Sequence, residues 1–377
     1  MPNATLPTLS EPARNSFNAI RLLAALQVAY VHASAHLQLE KSPLEFWNFI
    51  YQFPGVPVFF AISGYLVFDS VLRLGSLRRF YLHRDARIYP ALIFNIVLIE
   101  ILLYAAGQSS FAREIWRVAL YFIFYFVTAS DSLAALWSRT GGTYNFDGFF
   151  QMYPSGVLWT LTVELTFYLV IPLFALGRTR IVQAVLIVAA TGLSFAYQRR
   201  LGADLATMKG WPVSISVLPY FWMFGIGMLF RLWRPPSWMN LIAVPALIAV
   251  STVLALNSGS FEWKVEPTAY CSLQTAVLSL LAVWLGYSPF LKNKWLARND
   301  MSYGLYLYHM LIVTALLNVP LADRTRWLLV PVLAGGMLAG FASWWLVERP
   351  FMRLARRGEE AVPVEGSQRP QPKPAAV

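Results

Sequence analysis

The 377-residue sequence has few charged residues and almost no cysteine. Charged residues make up 13% of the chain, against about a quarter in an ordinary soluble domain. The single cysteine, Cys271, excludes an internal disulfide and a cysteine-based metal cluster. Only one i, i+4 pair has a metal-ligand spacing among the four histidines, which are His32, His36, His83 and His309. We therefore expect neither a soluble globule nor a bound metal.

Basic residues are in excess, with 30 lysines and arginines against 19 acidic residues. Such an excess predicts nucleic-acid binding when the basic residues form one continuous stripe. Here they are separated by apolar runs of about 20 residues, which is the length of a membrane span. Because 57% of the residues are hydrophobic, the composition predicts a protein that lies among membrane lipids and has no nucleic-acid partner.

Eleven apolar segments predict an all-α fold, a polytopic bundle of transmembrane helices. The first segment is too long for the apolar part of a signal peptide, so we expect it to remain as the first span. The weakest candidate is 115–130, which is near the lower length limit for a spanning helix. The segments are 17–38, 50–71, 88–106, 115–130, 157–177, 180–197, 213–231, 239–256, 270–288, 302–320 and 326–347.

The loops predict how many segments cross, because lysine and arginine concentrate on the cytoplasmic side. The stretch 73–87 contains five arginines and is expected to be a cytoplasmic loop. If 88–130 makes one net crossing, 18 basic residues lie inside and 10 outside, whereas eleven crossings divide them 14 to 14. We predict about ten crossings of the plasma (inner) membrane, with both termini cytoplasmic. Residues 1–357 then form one transmembrane domain, and 358–377 a disordered cytoplasmic tail.

Arg21 and His32 both stand in the first span, eleven residues apart. Eleven residues are three helical turns, so the two side chains share one face, about 16 Å apart along the axis. Ionisable residues within a span are functional candidates by default, because they are costly when they face lipid. The competing interpretation is an arginine that extends to the headgroups and a histidine hydrogen-bonded between helices.

A carboxylate stands inside the apolar segment that contains Trp159, Glu164 and Tyr168. A carboxylate within a span must be neutral or paired, and Glu164 is therefore a candidate for proton exchange with a histidine. The alternative is a structural glutamate that is hydrogen-bonded to a neighbouring tyrosine or arginine.

Two further patterns carry polar side chains. Ser302, Tyr306 and His309 have i, i+4, i+7 spacing and form a polar stripe at the start of a span, although an aromatic belt at the membrane interface also explains the tyrosine. Arg84 and Arg87, three residues apart in the basic stretch, are able to clamp a phosphate and thus predict a phosphorylated cofactor. Contact with anionic lipids is the alternative for this pair.

The order of these motifs resembles the acyltransferase-3 family of integral membrane acyltransferases, over about residues 16 to 355. The resemblance implies transfer of an acyl group, usually acetyl, from cytoplasmic acyl-CoA to a hydroxyl of a cell-surface or lipid-linked saccharide. It rests on Arg21-x10-His32, Gly55-Val-Pro-Val-Phe-Phe-Ala-Ile-Ser-Gly-Tyr-Leu66, Arg84-x-x-Arg87-x-x-Pro90, Trp159-Thr-Leu-Thr-Val-Glu164-x-x-Phe-Tyr168, Ser302-Tyr-Gly-Leu-Tyr-Leu-Tyr-His309 and Glu348-Arg-Pro350.

The resemblance also implies that His32, Arg21, Arg84 and Arg87 are the functionally important positions, and the mechanism that we expect is built on them. The phosphates of acyl-CoA (acetyl-CoA) are expected on Arg84 and Arg87, with Arg21 nearby. His32 is expected to act as a general base on the acceptor hydroxyl or as a covalent acyl relay. Its tautomer is expected to be set by Glu164 or by a tyrosine, and the other site candidates are Tyr168, Ser302, Tyr306, His309 and Trp159.

Two functions of other classes remain as alternatives at this point. One is a proton-coupled transporter or flippase of a glycan or lipid, in which His32 and Glu164 form a proton relay. The other is a membrane scaffold without catalysis, for which the arginine pair should be dispensable. Dependence on acyl-CoA distinguishes the enzyme from both.

Overall fold

The structure is a computed structural model and describes residues 16–39, 49–108, 148–202, 216–233, 235–257, 269–288 and 290–360. Within these ranges all regular elements are helices, and the predicted all-α membrane bundle is confirmed. Five helices are long and apolar enough to cross a membrane, and four shorter apolar helices pack among them.

The helices follow the predicted apolar segments closely. The described α-helices are α1 Phe17–His36, α2 Gly55–Leu74, α3 Leu77–Ala105, α4 Trp159–Ala175, α5 Arg180–Leu201, α6 Phe221–Trp233, α7 Asn240–Asn257, α8 Ala269–Tyr287, α9 Lys294–Arg298, α10 Ser302–Leu316, α11 Leu329–Ser343 and α12 Arg349–Glu360. All of them except α9 and α12 coincide with one of the predicted segments, ten segments in total, and the eleventh segment, 115–130, lies outside the described residues. A π-helix, Trp344–Glu348, joins α11 to α12. The predicted tail therefore begins as helix, and residues beyond 360 lie outside the described part.

The basic stretch 73–87 is not the loop that the charge pattern predicted. Only Gly75 and Ser76 connect α2 to α3. Gly75 ends α2 in a left-handed conformation with φ of 60°, and the Ser76 side chain caps the start of α3. Because α3 has 29 residues, more than the roughly 20 that a span needs, its basic first turns extend beyond the apolar part. Arg84 and Arg87 therefore stand on one face of a helix.

The direction of α3 and α4 tests the predicted number of crossings. At the end of α3, the Gln108 side chain makes two hydrogen bonds with the backbone of Phe150, of 2.8 and 2.7 Å. At the other end, the Tyr81 hydroxyl donates to the Tyr168 carbonyl at 3.3 Å. The two helices are therefore antiparallel, and α4 begins at the end of the bundle where α3 finishes. This agrees with one net crossing for 88–130.

Helices α1 and α3 run parallel to α10, and the three surround the candidate site with α4. Along α3 and α10, the Tyr303 hydroxyl donates to the Ile88 carbonyl at 3.0 Å, and the Asn95 amide donates to the Leu307 carbonyl at 3.4 Å. These two contacts follow the same order along both helices. The polar residues near the start of α1, α3 and α10 consequently meet at one end of the bundle.

Glycines bring α2 and α6 into close contact. A Cβ atom on Gly64 would lie 2.0 Å from the Phe224 carbonyl oxygen. A Cβ atom on Gly227 would lie 2.0 Å from the Ala61 carbonyl oxygen. The two backbones therefore pack at a distance that no larger residue permits.

The same two helices share a buried ion pair. The Arg231 Nε–H of α6 donates to the Asp69 carboxylate of α2, and Arg73 lies 3.8 Å from that carboxylate. Because Asp69 and Arg231 are both buried, removing either one would leave an uncompensated charge in the apolar interior.

We predict that Gly227→Ala separates α2 from α6 and lowers stability. The added methyl group would overlap the Ala61 carbonyl, and overpacking of this kind costs about 1–3 kcal/mol or more. The matched control is Gly192→Ala in α5, where a Cβ atom meets nothing within 4 Å. Thermal unfolding of the detergent-solubilised protein should show a lower midpoint for the first variant only, and equal midpoints would contradict the predicted close packing.

Candidate active site

The first part of the site is an ion cluster between three elements, named here the arginine cluster: Arg21, Arg87 and Asp300. Arg21 Nη1 donates to Asp300 Oδ2 at 2.5 Å, and Arg87 Nη2 donates to the same oxygen. The Asp300 side chain is 3% exposed, against 12% for Arg21 and 24% for Arg87. Within this cluster one carboxylate faces two guanidinium groups, and Glu348 and Glu164 lie near enough to interact electrostatically with Arg87.

The second oxygen of Asp300 holds the start of α10. Asp300 Oδ1 accepts hydrogen bonds from the Ser302 backbone N–H at 3.2 Å and from the Ser302 hydroxyl at 2.5 Å. A carboxylate is favourable at a helix N-terminus, where it satisfies free N–H groups and meets the positive end of the helix dipole. Asp300 thus ties α10 to both α1 and α3.

The closing Glu-Arg-Pro motif supports the segment that carries Asp300. Glu348 is buried at the end of the π-helix and accepts a hydrogen bond from the Ser343 hydroxyl at 2.8 Å. The Trp344 indole N–H in the same π-helix donates to the Asn299 side chain at 3.0 Å. Since Asn299 directly precedes Asp300, the π-helix helps to fix the position of the arginine cluster.

The second part of the site is the histidine pair, His32 of α1 and His309 of α10. His32 Nδ1 lies 2.9 Å from His309 Nε2. The rings are nearly parallel, with an angle of 10° and centroids 5.2 Å apart. His309 is completely buried, whereas His32 is half-buried. The structure therefore brings His32, an ionisable residue of the first span, into contact with His309, the last residue of the polar stripe on α10.

The backbone assigns the protons of this pair. His309 Nδ1 lies 3.2 Å from the Leu305 carbonyl oxygen, and a carbonyl oxygen is only an acceptor. His309 Nδ1 therefore carries the proton, and in a neutral ring its Nε2 must accept. The donor to Nε2 is the Nδ1–H of His32, which leaves His32 Nε2 unprotonated and available as a base.

Tyr306 and Phe59 connect the histidine pair with the arginine cluster. The Tyr306 hydroxyl lies 2.7 Å from Thr160 Oγ1, and its ring packs against His309 with centroids 6.0 Å apart. Phe59 packs against Tyr306 at 5.7 Å, and the Arg21 guanidinium lies 5.9 Å from the centroid of the Phe59 ring. An unbroken series of side-chain contacts thus leads from Arg21 to His32.

The third part is the carboxylate cluster, formed by Glu164, Ser63, Tyr168 and Arg84. Glu164 Oε1 accepts hydrogen bonds from the Ser63 hydroxyl at 2.9 Å and the Tyr168 hydroxyl at 2.5 Å. The Arg84 guanidinium lies 6.0 Å from the centroid of the Tyr168 ring. Arg84 Nε is buried and has no hydrogen-bond partner among the described residues. This arginine therefore retains a donor that a ligand can use.

Seven of the ten predicted site residues belong to these three groups. Ser302 hydrogen-bonds to Asp300 of the arginine cluster, and Tyr306 packs against His309, whereas Trp159 belongs to none of the groups. Trp159 packs against Tyr220 with ring centroids 5.6 Å apart, at the edge of the apolar core. Glu164 and Tyr168 are hydrogen-bonded to each other, while the His32 ring contacts the rings of His309 and His36. The structure thus gives the carboxylate and the histidines separate surroundings.

Sequence reasoning missed Asp300, Ser63 and Thr160. The available signal for Asp300 was the need of Arg21 for a counter-ion, since an arginine within a span must pair with an acidic residue. The sequence does not identify which acidic residue this is, because Arg21 and Asp300 are 279 positions apart. No local pattern distinguished Ser63 or Thr160 from other small polar residues in the spans.

Comparison with known proteins places the chain among acyltransferases. Residues 14–349 match the acyltransferase-3 family, which is described as an acyltransferase domain. "Nodulation protein 10" of Rhizobium leguminosarum bv. viciae is 34% identical over 350 residues, which are 90% of this chain and 94% of that protein. The "O-acetyl transferase" of Shigella phage Sf6 is 24% identical over 90% of this chain and 96% of that protein.

A third relative is the "Putative membrane-bound transacylase BcsY" of Komagataeibacter xylinus, 26% identical over 84% of this chain and 80% of that protein. No solved structure matches the chain. The family match covers every residue of the arginine cluster, the histidine pair and the carboxylate cluster.

We predict that Asp300→Ala strongly destabilises the protein. The change leaves Arg21 and Arg87 without their counter-ion, and breaking a buried ion pair in this way costs about 3–5 kcal/mol. Asp300→Asn, which retains an oxygen for Ser302, should lower the stability less. Thermal unfolding in detergent measures both effects.

The matched control for this prediction is Asp323→Ala, because Asp323 is exposed in the short 3-10 helix Leu321–Asp323 between α10 and α11. Its unfolding midpoint should stay close to that of the unmodified protein. If Asp300→Ala unfolds at the same temperature as the control, Asp300 does not hold the cluster together.

Proposed function

We propose that this chain, which belongs to the acyltransferase-3 family and is a multi-pass membrane O-acyltransferase, moves an acetyl or other acyl group from acyl-CoA to a saccharide hydroxyl. The acceptor is a cell-surface or lipid-linked saccharide. The observation that carries the proposal is the placement of the arginine cluster and the histidine pair on the parallel helices α1 and α10. The arginine cluster offers positive charge, and the histidine pair offers a basic nitrogen about 16 Å further along α1.

The proposed donor site is built around arginines that have unused binding capacity. Arg21 and Arg87 share the single carboxylate of Asp300. Arg84 is three residues from Arg87 on the same face of α3 and has a buried, unpartnered Nε. Guanidinium groups suit the phosphates of coenzyme A because they donate paired hydrogen bonds in one plane. We assign Glu164 and Tyr168 to positioning Arg84, since the Tyr168 ring lies beneath it.

The proposed chemistry uses the free Nε2 of His32. This nitrogen removes the proton of the acceptor hydroxyl, and the oxygen attacks the thioester carbonyl of the donor. The carbon–sulfur bond then breaks, and the proton moves to the departing thiolate of coenzyme A. In a covalent relay the same nitrogen attacks the thioester first and later passes the acyl group to the hydroxyl. Both routes require an unprotonated His32 Nε2.

His309 acts in this scheme as a positioning residue. It accepts the Nδ1–H of His32 and so fixes the tautomer in which Nε2 is the base. When His32 gains a proton, this hydrogen bond becomes charge-assisted and stabilises the imidazolium.

The proposed orientation has the arginine cluster at the cytoplasmic end of the bundle, where acyl-CoA is supplied. Helices α1 and α10 both begin there, and His32 and His309 lie deeper along them. The histidine pair then faces an acceptor that arrives from the opposite side. The family assignment favours this enzyme over the transporter.

We predict that His32→Ala abolishes transfer of label from radiolabelled acetyl-CoA to a saccharide in isolated membranes. His309→Phe, which removes the acceptor for His32, should lower kcat by about 10²–10⁴, the usual contribution of a general base. His309→Gln retains an acceptor oxygen and should restore part of kcat. The KM for acetyl-CoA should change little in either His309 variant.

His36→Gln serves as the matched control, because His36 lies one turn from His32 but outside the pair. Unfolding midpoints should show that each variant still inserts and folds. Full transfer by His32→Ala would exclude His32 as base or relay. A fall in kcat that His309→Gln does not relieve would show that His309 acts only through packing.

We further predict that Arg84→Gln raises the KM for acetyl-CoA by about 10- to 100-fold, because a charge-assisted hydrogen bond contributes about 1.5–3 kcal/mol. The matched control is Arg78→Gln, an exposed arginine near the start of the same helix. Inhibition by free coenzyme A should weaken in parallel with the rise in KM. An unchanged KM would remove Arg84 from the donor site, while transfer that needs no acyl-CoA would contradict the proposed donor.

A further inference from the structure

A groove of about 660 Å³ lies between α5, α6 and α8, on the outside of the bundle. None of its lining residues belongs to the arginine cluster, the histidine pair or the carboxylate cluster. Apart from Arg180, its walls are apolar and include Ile181, Ala184, Ile226, Trp233 and Ala276. The proposed acyl transfer therefore does not account for this groove.

The groove opens toward the hydrocarbon region of the membrane. Only 22% of the apolar stretch of α5 is buried in the bundle. Its outward residues are large and apolar, with Ile181 76% exposed and Val185 62% exposed. An apolar cavity that faces lipid has no polar partners to hold water. The chemistry of the walls therefore fits a hydrocarbon chain.

One end of the groove is polar and positively charged. Arg180, at the first position of α5, lines this end, and Arg178 is exposed two residues before it. Trp233, at the last position of α6, lines the groove and is 59% exposed. An exposed tryptophan beside arginines is typical of the headgroup level of a membrane. A ligand that fits both ends has an acyl chain and an anionic headgroup.

We propose that this groove binds an anionic phospholipid, with one acyl chain between α5, α6 and α8 and the phosphate on Arg180. The apolar walls exclude water around the chain, and the guanidinium donates hydrogen bonds to the phosphate oxygens. A lipid with additional negative charge on its headgroup gains further from Arg178. The lipid is a bound component of the protein rather than a substrate, so this proposal is independent of the acyl transfer.

Native mass spectrometry of the full-length protein tests the site with two probes, phosphatidylglycerol and phosphatidylcholine of equal chain length. We expect Arg180→Gln to lower retention of phosphatidylglycerol about fivefold, since an arginine near a membrane surface contributes about 1 kcal/mol to anionic lipid binding. Retention of phosphatidylcholine should fall less, because its choline cation offsets the charge of the phosphate that Arg180 contacts. Ala276→Phe, which fills the groove, should lower retention of both lipids.

The matched control is Arg200→Gln, an exposed arginine at the opposite end of α5. Its retention of phosphatidylglycerol should equal that of the unmodified protein. Equal losses in Arg180→Gln and this control would overturn the proposal, because the effect would then be general charge attraction. Normal retention in Ala276→Phe would also overturn it, since the chain would lie elsewhere. Acyl transfer should persist in all three variants, and its failure alone would leave the lipid result intact.

Discussion

The ion cluster around Asp300 is the contact on which the rest of the site depends. One of its oxygens accepts from arginines of two helices, and the other holds the first turn of α10. Without it, two largely buried guanidinium groups would lose the carboxylate to which both are hydrogen-bonded, and removing one partner of such a buried ion pair is strongly destabilising. The cluster therefore fixes three helices in one arrangement.

The register between α1 and α10 follows from that contact and places the histidines. Because the two helices are parallel and start together at Asp300, His32 and His309 arrive at the same depth. The main chain then determines which nitrogen of His32 is unprotonated, since the Leu305 carbonyl fixes the proton of His309 and through it the proton of His32.

The positive charge of this chain has two different uses in the described residues. Inside the bundle, Asp300 pairs with Arg21 and Arg87, and Asp69 pairs with Arg231. Each of these ion pairs connects different helices. At its lipid-facing side, Arg180 stands at the end of an apolar groove where an anionic headgroup fits. Buried arginines thus organise the fold and the site, whereas exposed ones meet the membrane.

Hydropathy and helical periodicity are local properties, and they can therefore be read from the sequence. They were sufficient to predict that the protein lies in a membrane, where its helices are, and that Arg21 and His32 share one helix face. The predicted loop at 73–87 was wrong, because Gly75 and Ser76 alone are enough to connect α2 to α3. Only the tertiary structure decided that Arg21 pairs with Asp300 and that His32 meets His309 instead of Glu164. These partners are 279 and 277 residues apart, and their meeting depends on helix direction, close glycine packing and register, which no local pattern encodes.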